Sequence, residues 1–221
     1  MSYRYIAFDL DGTLVDSLPA LAQATNAMLA ELGRDTQSQA QVGHWVGNGI
    51  STLVKRALGG EPDAGLFEQG LDSFQIHYRA HLVSGTRPYQ GVRELLADLH
   101  GQGIRLALIT NKARRFTEPL LAGLDLAQYF ELVLAGDDLA EKKPHPAPLL
   151  HLCEQWQLTP EQLLMVGDSR NDIQAAKAAG CASAGLTAGY NYGEDIRLCE
   201  PDWVLDAVTE LRRLPGLPIS N

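Results

Sequence analysis

Cysteine is scarce in this chain. Cys153, Cys181 and Cys199 are odd in number and far apart, which fits reduced packing thiols better than a disulfide framework or a zinc site. Long apolar runs are missing as well. No stretch approaches the ~20 uninterrupted apolar residues that a membrane span requires, so no membrane partner is expected. Positive charge is in deficit: 18 Lys and Arg stand against 27 Asp and Glu, a net charge of −9, which argues against nucleic acid or an anionic membrane surface as partner. An anionic small molecule would have to meet cations concentrated at its site, and Lys112, Arg114, Arg115, Lys142, Lys143 and Arg170 are the candidates. Internal repeats and low-complexity segments are absent. Met1 leads directly into an apolar strand, leaving no room for a signal peptide, and a cytoplasmic protein is expected, as monomer or homodimer.

What is present is organised around Phe8-Asp9-Leu10-Asp11-Gly12-Thr13-Leu14-Val15-Asp16-Ser17. The apolar run before it reads as a strand, so the strand ends in carboxylates. Strand period sets Asp9 and Asp11 on one side of the backbone, and Gly12 permits a sharp turn after them. Two acids at one strand end repel unless a cation or a shared proton compensates, and a divalent metal is the simplest answer. A lone Asp-Gly would read as an Asx turn. Three aspartates within eight residues, directly after an apolar strand, favour the metal.

Helical periodicity then covers 18–32, 37–46, 50–58 and 66–82, with no convincing strand between Pro19 and Ser84. Beyond Gly85 and Pro88 the pattern alternates: helix 92–100, strand 104–110, helix 114–124, strand 130–135, helix 147–156. A capping box at Thr159-Pro160-Glu161-Gln162 precedes strand 164–166, helix 172–179, strands 182–186 and 203–205, and a closing helix 207–214. Alternation of this kind predicts a Rossmann-like α/β core with a parallel sheet, formed by 1–17 and 86–221, and an inserted α-helical bundle, 18–85. Ligands of such sheets gather beyond the carboxyl ends of the strands. There the sequence delivers Asp9 and Asp11, then Thr110-Asn111-Lys112, then Lys142-Lys143-Pro144-His145-Pro146, then Asp168-Ser169-Arg170-Asn171-Asp172. Two acid pairs, a hydroxyl and a lysine are the parts of a magnesium-dependent phosphoryl transfer. Taken singly, Thr110 could cap a helix, Lys143 could be solvated surface, and Gly167-Asp168-Ser169 could be only a turn. His145, between two prolines, reads as structural.

The ten residues from Phe8 resemble the first signature motif of the haloacid dehalogenase superfamily in its phosphatase form, DxDGTLxDS. Thr110, Lys143 before Pro144, and Gly167-Asp168-Ser169 with Asp172 are similar to the remaining three motifs in order and spacing. The resemblance implies a C1-type helical cap, Asp9 as nucleophile and Asp11 as general acid and base. It implies Mg2+ held by Asp9, the Asp11 carbonyl and Asp168, with Asp172 a direct or water-mediated ligand. Thr110, the main-chain N–H groups of Leu10 and Asn111, and Lys143 would hold the phosphate. Lys142 is the competitor of Lys143 for that role.

In the cap, Gly47-Asn48-Gly49 at a helix start is the natural anion site, with a Gly-rich turn between helices as the ordinary alternative. Arg56 is a further binding candidate beside Lys55, or part of a solvated helix face. Trp45 to Gly49 together with Ala188-Gly189-Tyr190-Asn191-Tyr192-Gly193-Glu194 is similar to bacterial 2-phosphoglycolate phosphatases, which implies hydrolysis of that small ester to glycolate and phosphate. Sugar-phosphate or amino-sugar-phosphate phosphatases and a β-phosphoglucomutase-like transferase share the core. From another class, a phospho-accepting receiver domain joins aspartates, Thr and Lys at a sheet edge but needs neither a helical insertion nor an acid at position 11. A flavodoxin-like module fits less well, because the strand-end loops are acidic.

Overall fold

The computed structural model describes residues 3–217. Strand β1 (Tyr5–Phe8) lies at the centre, with Ile6, Ala7 and Phe8 fully buried. A strand covered on both faces reads as a continuous apolar run, which is what this segment presents. After a turn, β2 (Val15–Asp16) leads into four helices: α1 (Leu18–Glu31), α2 (Gln39–Gly43), α3 (Ile50–Ala57) and α4 (Ala64–His81). Strand β3 (Arg87–Pro88) then runs back antiparallel to β2, with Val15 opposite Pro88 and Asp16 opposite Arg87. The chain therefore leaves and re-enters the sheet region through one narrow ribbon.

From there helices and strands alternate: α5 (Val92–Gly101), β4 (Arg105–Ile109), α6 (Arg114–Gly123), β5 (Leu132–Leu134), α7 (Ala147–Trp156), β6 (Leu163–Gly167), α8 (Arg170–Ala179), β7 (Ala182–Leu186) and β8 (Trp203–Leu205). The main sheet has the order β5-β4-β1-β6-β7-β8, and every pairing in it is parallel. The Rossmann-like α/β reading holds. The chain builds outward from β1 through β4 to β5, then returns to the other side of β1 with β6. That reversal of direction opens a crevice at the carboxyl ends of β1, β4 and β6.

Strand residues alternate between two apolar layers. Ile6, Phe8, Leu106, Leu108, Leu164 and Val166 pack with Leu95, Leu96 and Leu99 of α5 and Phe116 and Leu120 of α6. Ala7, Ala107, Ile109 and Met165 face Leu149, Leu152 and Trp156 of α7 and Ala175 and Ala176 of α8. The first layer continues into the four-helix insert through Tyr78 of α4. Its ring stacks on Phe74 at 5.5 Å between centroids and lies 5.1 Å from Phe116 of α6. Full burial of a side chain of this size stabilises by ~1.5–3 kcal/mol, so Tyr78, stacked on Phe74, is a substantial hold of the insert on the sheet domain.

The structure departs from the periodicity in several places. The pattern over 37–46 yields only the short α2, started by Ser38, whose side chain accepts from the Gln41 N–H at 3.1 Å. The β2–β3 ribbon escapes sequence reading, because two residues per strand carry no measurable period. The segment read as a closing helix is a 3-10 turn, Val208–Arg213, in which Leu214 N–H bonds to Leu211 O at 3.0 Å, three residues back. Pro215 follows and cannot continue an α-helix. Helix α8 begins two residues earlier than expected, because Ser169 and Asp172 form a capping box in which Asp172 Oδ2 accepts from the Ser169 N–H at 3.0 Å.

Candidate active site

β1 delivers Asp9 by simple continuation: the Asp9 N–H still donates to Val166 O at 2.9 Å, so the carboxylate is fixed one residue beyond the strand. The chain then folds back sharply, with the N–H groups of Thr13, Leu14 and Val15 all directed at Leu10 O. Gly12 makes this possible. Its φ is +91°, and a Cβ there would lie 2.3 Å from Asp168 Oδ2, so no other residue lets this turn lie against Asp168. Thr13 Oγ1 donates to Asp168 Oδ1 at 2.8 Å, and the Tyr190 N–H donates to Asp168 Oδ2 at 2.8 Å.

Asp9, Asp168 and Asp172 each turn one oxygen into a common space, all within 4.8 Å of one another. One ammonium faces them. Lys143 Nζ lies 2.8 Å from Asp9 Oδ1 and 2.7 Å from Asp172 Oδ1, and also donates to Ile109 O. Burial raises the Asp9 carboxyl to about 7, with Lys143 opposing and Asp172 and Asp11 adding to the rise. Burial and the neighbouring Asp9 and Asp172 push Asp168 up to about 8. Burial works against the Lys143 ammonium, but Asp172 and Asp9 outweigh it and hold its pKa above the ordinary lysine value. Lys143 pairs with two of the three carboxylates, Asp9 and Asp172, so the trio is short of positive charge. An all-oxygen donor set of that kind fits a hard divalent cation such as Mg2+.

Asp11 stands apart from this trio. Both its oxygens accept from Lys112 Nζ, at 2.9 and 2.7 Å, and Ser17 Oγ donates to Oδ1 at 2.6 Å. Thr110 sits at the end of β4, its N–H bonded to Leu134 O and its Oγ1 accepting from the Lys112 N–H at 3.2 Å. These groups line a partly open chamber of about 50 Å3 with Asn111, Gly47 and Gly49, roofed by Leu21, Val46, Ile50 and Leu53 of the helical insert.

The tip of the insert is docked on the sheet domain. Asn111 Nδ2 and Asn171 Nδ2 each donate to Gly47 O at 2.9 Å, and Lys142 Nζ donates to Asn48 O at 2.8 Å. Gly47 has φ +119°, and a Cβ on it would meet the Tyr192 hydroxyl at 2.7 Å. Tyr192 OH donates to Asn48 Oδ1 at 2.9 Å, and Arg56 Nη2 donates to the same oxygen at 2.9 Å. The Tyr192 ring carries two guanidinium groups, Arg56 at 5.5 Å and Arg170 at 4.4 Å. At the root of the insert, the Tyr190 hydroxyl accepts from the N–H groups of Ser17 and Leu18 and donates to Asp16 Oδ1.

The structure thus brings Asp9, Asp11, Thr110, Asn111, Lys143, Asp168 and Asp172 to one chamber, bordered by Gly47 and Gly49. Asn48 and Arg56 are not among the chamber's lining. They bind each other and Tyr192, and face an open groove with Thr52, Lys142 and His145. Thr13, Ser17, Asn171 and the two tyrosines hold the site together; the first two lie inside the Phe8–Ser17 motif and the tyrosines in the 188–194 stretch, but the sequence marks none of them with a role of its own. Lys112 stands out in the sequence only as one cation among several.

The model of the haloacid dehalogenase-like hydrolase family matches residues 6–186. The phosphoglycolate phosphatase of Colwellia psychrerythraea is 49% identical over 212 residues, covering 93% of this chain and 94% of that protein. The phosphoglycolate phosphatase of Pectobacterium atrosepticum is 46% identical over 216 residues, covering 96% and 92%. Among solved structures, a predicted phosphoglycolate phosphatase from Haemophilus somnus 129pt superposes with a TM-score of 0.93 at 40% identity, covering 96% of this chain and 98% of that one.

Proposed function

Because the chain belongs to the haloacid dehalogenase-like hydrolase family, we propose that it hydrolyses 2-phosphoglycolate to glycolate and phosphate by phosphoryl transfer through Asp9. The observation that carries this reading is the convergence of Asp9, Lys143, Asp168 and Asp172 on one chamber at the strand ends. Asp9 attacks the phosphorus, the bond to the ester oxygen breaks, and an aspartyl phosphate forms on Asp9. Asp11 gives a proton to the departing oxygen. It then takes one from the water that attacks the aspartyl phosphate and restores Asp9. Lys143 offsets the negative charge that a phosphate dianion adds beside a carboxylate nucleophile. The Thr110 hydroxyl and the main-chain N–H groups of Leu10 and Asn111 orient the phosphate oxygens.

Asp9, Asp168, Asp172 and the Asp11 carbonyl are the groups that would hold Mg2+. When bound, the ion neutralises charge on the phosphate oxygens. We assign residues 18–85 the role of a cap that closes over the substrate. The chamber is small and roofed by apolar side chains, which favours a short ester over a hexose phosphate. The names of the close relatives support the same substrate.

Phosphate release from 2-phosphoglycolate, beside a panel of sugar phosphates, with Mg2+ or with chelator, tests the proposal. The expected result is a strong preference for phosphoglycolate that chelation abolishes, and no turnover by Asp9→Asn. Preference for a sugar phosphate would overturn the substrate, and full activity of Asp9→Asn would overturn the nucleophile.

A further inference from the structure

Two cations line the chamber, Lys112 and Lys143. Lys143 is committed to Asp9, Asp172 and Ile109 O. The other cations nearby turn elsewhere: Lys142 to Asn48 O, and Arg56 and Arg170 to the Tyr192 ring. Lys112 is different. Its side chain is only 3% exposed, and its ammonium has one anionic partner, Asp11, with the Tyr78 ring 5.1 Å from Nζ. Its backbone is pinned as well: Lys112 O accepts from Gly136 N–H at 2.8 Å and from Thr117 Oγ1 at 3.2 Å, so the reach of the ammonium is set.

This pairing conflicts with the work proposed for Asp11. Both Asp11 oxygens are occupied by Lys112, and Oδ1 also by Ser17. Oδ2 retains a lone pair, but the two-pronged pairing aims both oxygens at the ammonium, so turning the carboxylate to a leaving group or a water means parting it from Lys112. Something must draw Lys112 away, and burial makes any uncompensated separation costly. A second carboxylate arriving at the same place removes that cost, because the ammonium exchanges one anionic partner for another. The proposed substrate carries one. Its carboxylate is attached to the carbon that bears the leaving oxygen, so when that oxygen lies at Asp11 the carboxylate lies beside the Lys112 ammonium.

We propose that Lys112 is the specificity-determining residue of this site, binding the carboxylate of the ester and thereby releasing Asp11 toward the leaving oxygen. The inference rests on the phosphoglycolate reading given above. It makes carboxylate recognition and the freeing of Asp11 a single event, so an ester with a neutral tail is bound and cleaved poorly. A hydrogen bond to a charged partner is worth roughly 10- to 150-fold, and a buried polar group left unmatched discriminates more strongly still. A preference of at least about 100-fold for the carboxylate-bearing ester is the expected scale.

The test compares 2-phosphoglycolate with ethyl phosphate, which has the same two-carbon skeleton without the carboxylate. In Lys112→Met the ratio of kcat/KM values for the two esters should fall at least about 100-fold, and Lys112→Arg should recover part of it. Because Lys112→Met also strips Asp11 of its partner and could fail to fold, binding to Asp11→Asn gives an independent reading. That variant leaves Lys112 without its competing carboxylate, so calorimetry should find phosphoglycolate bound tighter than by wild type, with ethyl phosphate affected less. Equal loss of both esters in Lys112→Met, or equal change of both affinities in Asp11→Asn, would overturn the assignment of Lys112 while wild-type turnover of phosphoglycolate leaves the parent reading intact. Failure of the wild-type protein to cleave phosphoglycolate overturns both.

Discussion

Replacing Lys143 by Met isolates the electrostatics of the carboxylate trio. The side chain is 2% exposed, lies 2.8 Å from Asp9 and 2.7 Å from Asp172, and is replaced by an apolar chain of similar length. Packing is nearly retained, so the change is the loss of the ammonium that pairs with two carboxylates of the buried trio. Removing one partner of a buried ion pair costs about 3–5 kcal/mol. For a chain of this length each kcal/mol moves Tm by roughly 2–4 °C, so the metal-free variant should melt roughly 6–20 °C below wild type at pH 8. The pH dependence has a definite sign. Asp9 and Asp168 are raised in the folded state, to about 7 and about 8 from an ordinary 3.8. A raised carboxyl contributes stability that is present below its unfolded pKa and is lost as pH rises through the folded value. Without Lys143, which opposes the rise at Asp9, that carboxyl rises further, so acidification toward pH 5 should protonate it and narrow the gap to wild type. Thermal unfolding followed by circular dichroism, in chelator, from pH 5 to 8, measures both effects. A difference within about 2 °C at pH 8, or a gap that widens on acidification, would refute the account of a trio short of positive charge.

Mg2+ should raise Tm more at pH 8 than at pH 6, because protons compete for Asp9 and Asp168 at the lower pH; at 100 Kd the gain is about 2.7 kcal/mol, or roughly 5–11 °C by differential scanning calorimetry. Gly189→Ala places a Cβ 2.1 Å from Asp168 Cβ and 2.3 Å from its Oδ2, which must displace that carboxylate. A misplacement near 1 Å costs about 100-fold, so kcat should drop by that order and the Mg2+ concentration for half-maximal rate should rise in steady-state assays. Tyr192→Phe removes one of two donors to Asn48 Oδ1, worth about 0.5–1.5 kcal/mol, and should raise KM by up to about 10-fold with little change in kcat. An unaltered KM would remove the role of Tyr192 in holding the cap tip.

The sequence alone determined the α/β class and the four strand-end motifs. The reason is covalent: Asp9 follows directly on the apolar run of β1 and Asp168 on that of β6, so once those strands are parallel neighbours their acids must emerge at one edge. Thr110 follows from β4 in the same way. Periodicity also separated the four helices of the insert from the alternating remainder, because helical amphipathicity repeats over enough residues to be read locally. It could not register the two-residue strands of the ribbon, nor that Val208–Arg213 winds as a 3-10 turn.

Only the tertiary structure decided who pairs with whom. Lys143 reaches Asp9 across 134 positions and Lys112 reaches Asp11 across 101; the Lys-Pro motif marks Lys143 but not its partners, and nothing in the local pattern distinguishes Lys112 from a solvated lysine. The same holds at the tip of the helical insert, where Asn48 meets Tyr192 across 144 positions and binds Arg56 outside the chamber. Local sequence sets which groups stand at the strand ends, because chain connectivity carries them there. Which of those groups are neutralised, engaged or free depends on distances between segments remote in the chain, and packing alone sets those distances.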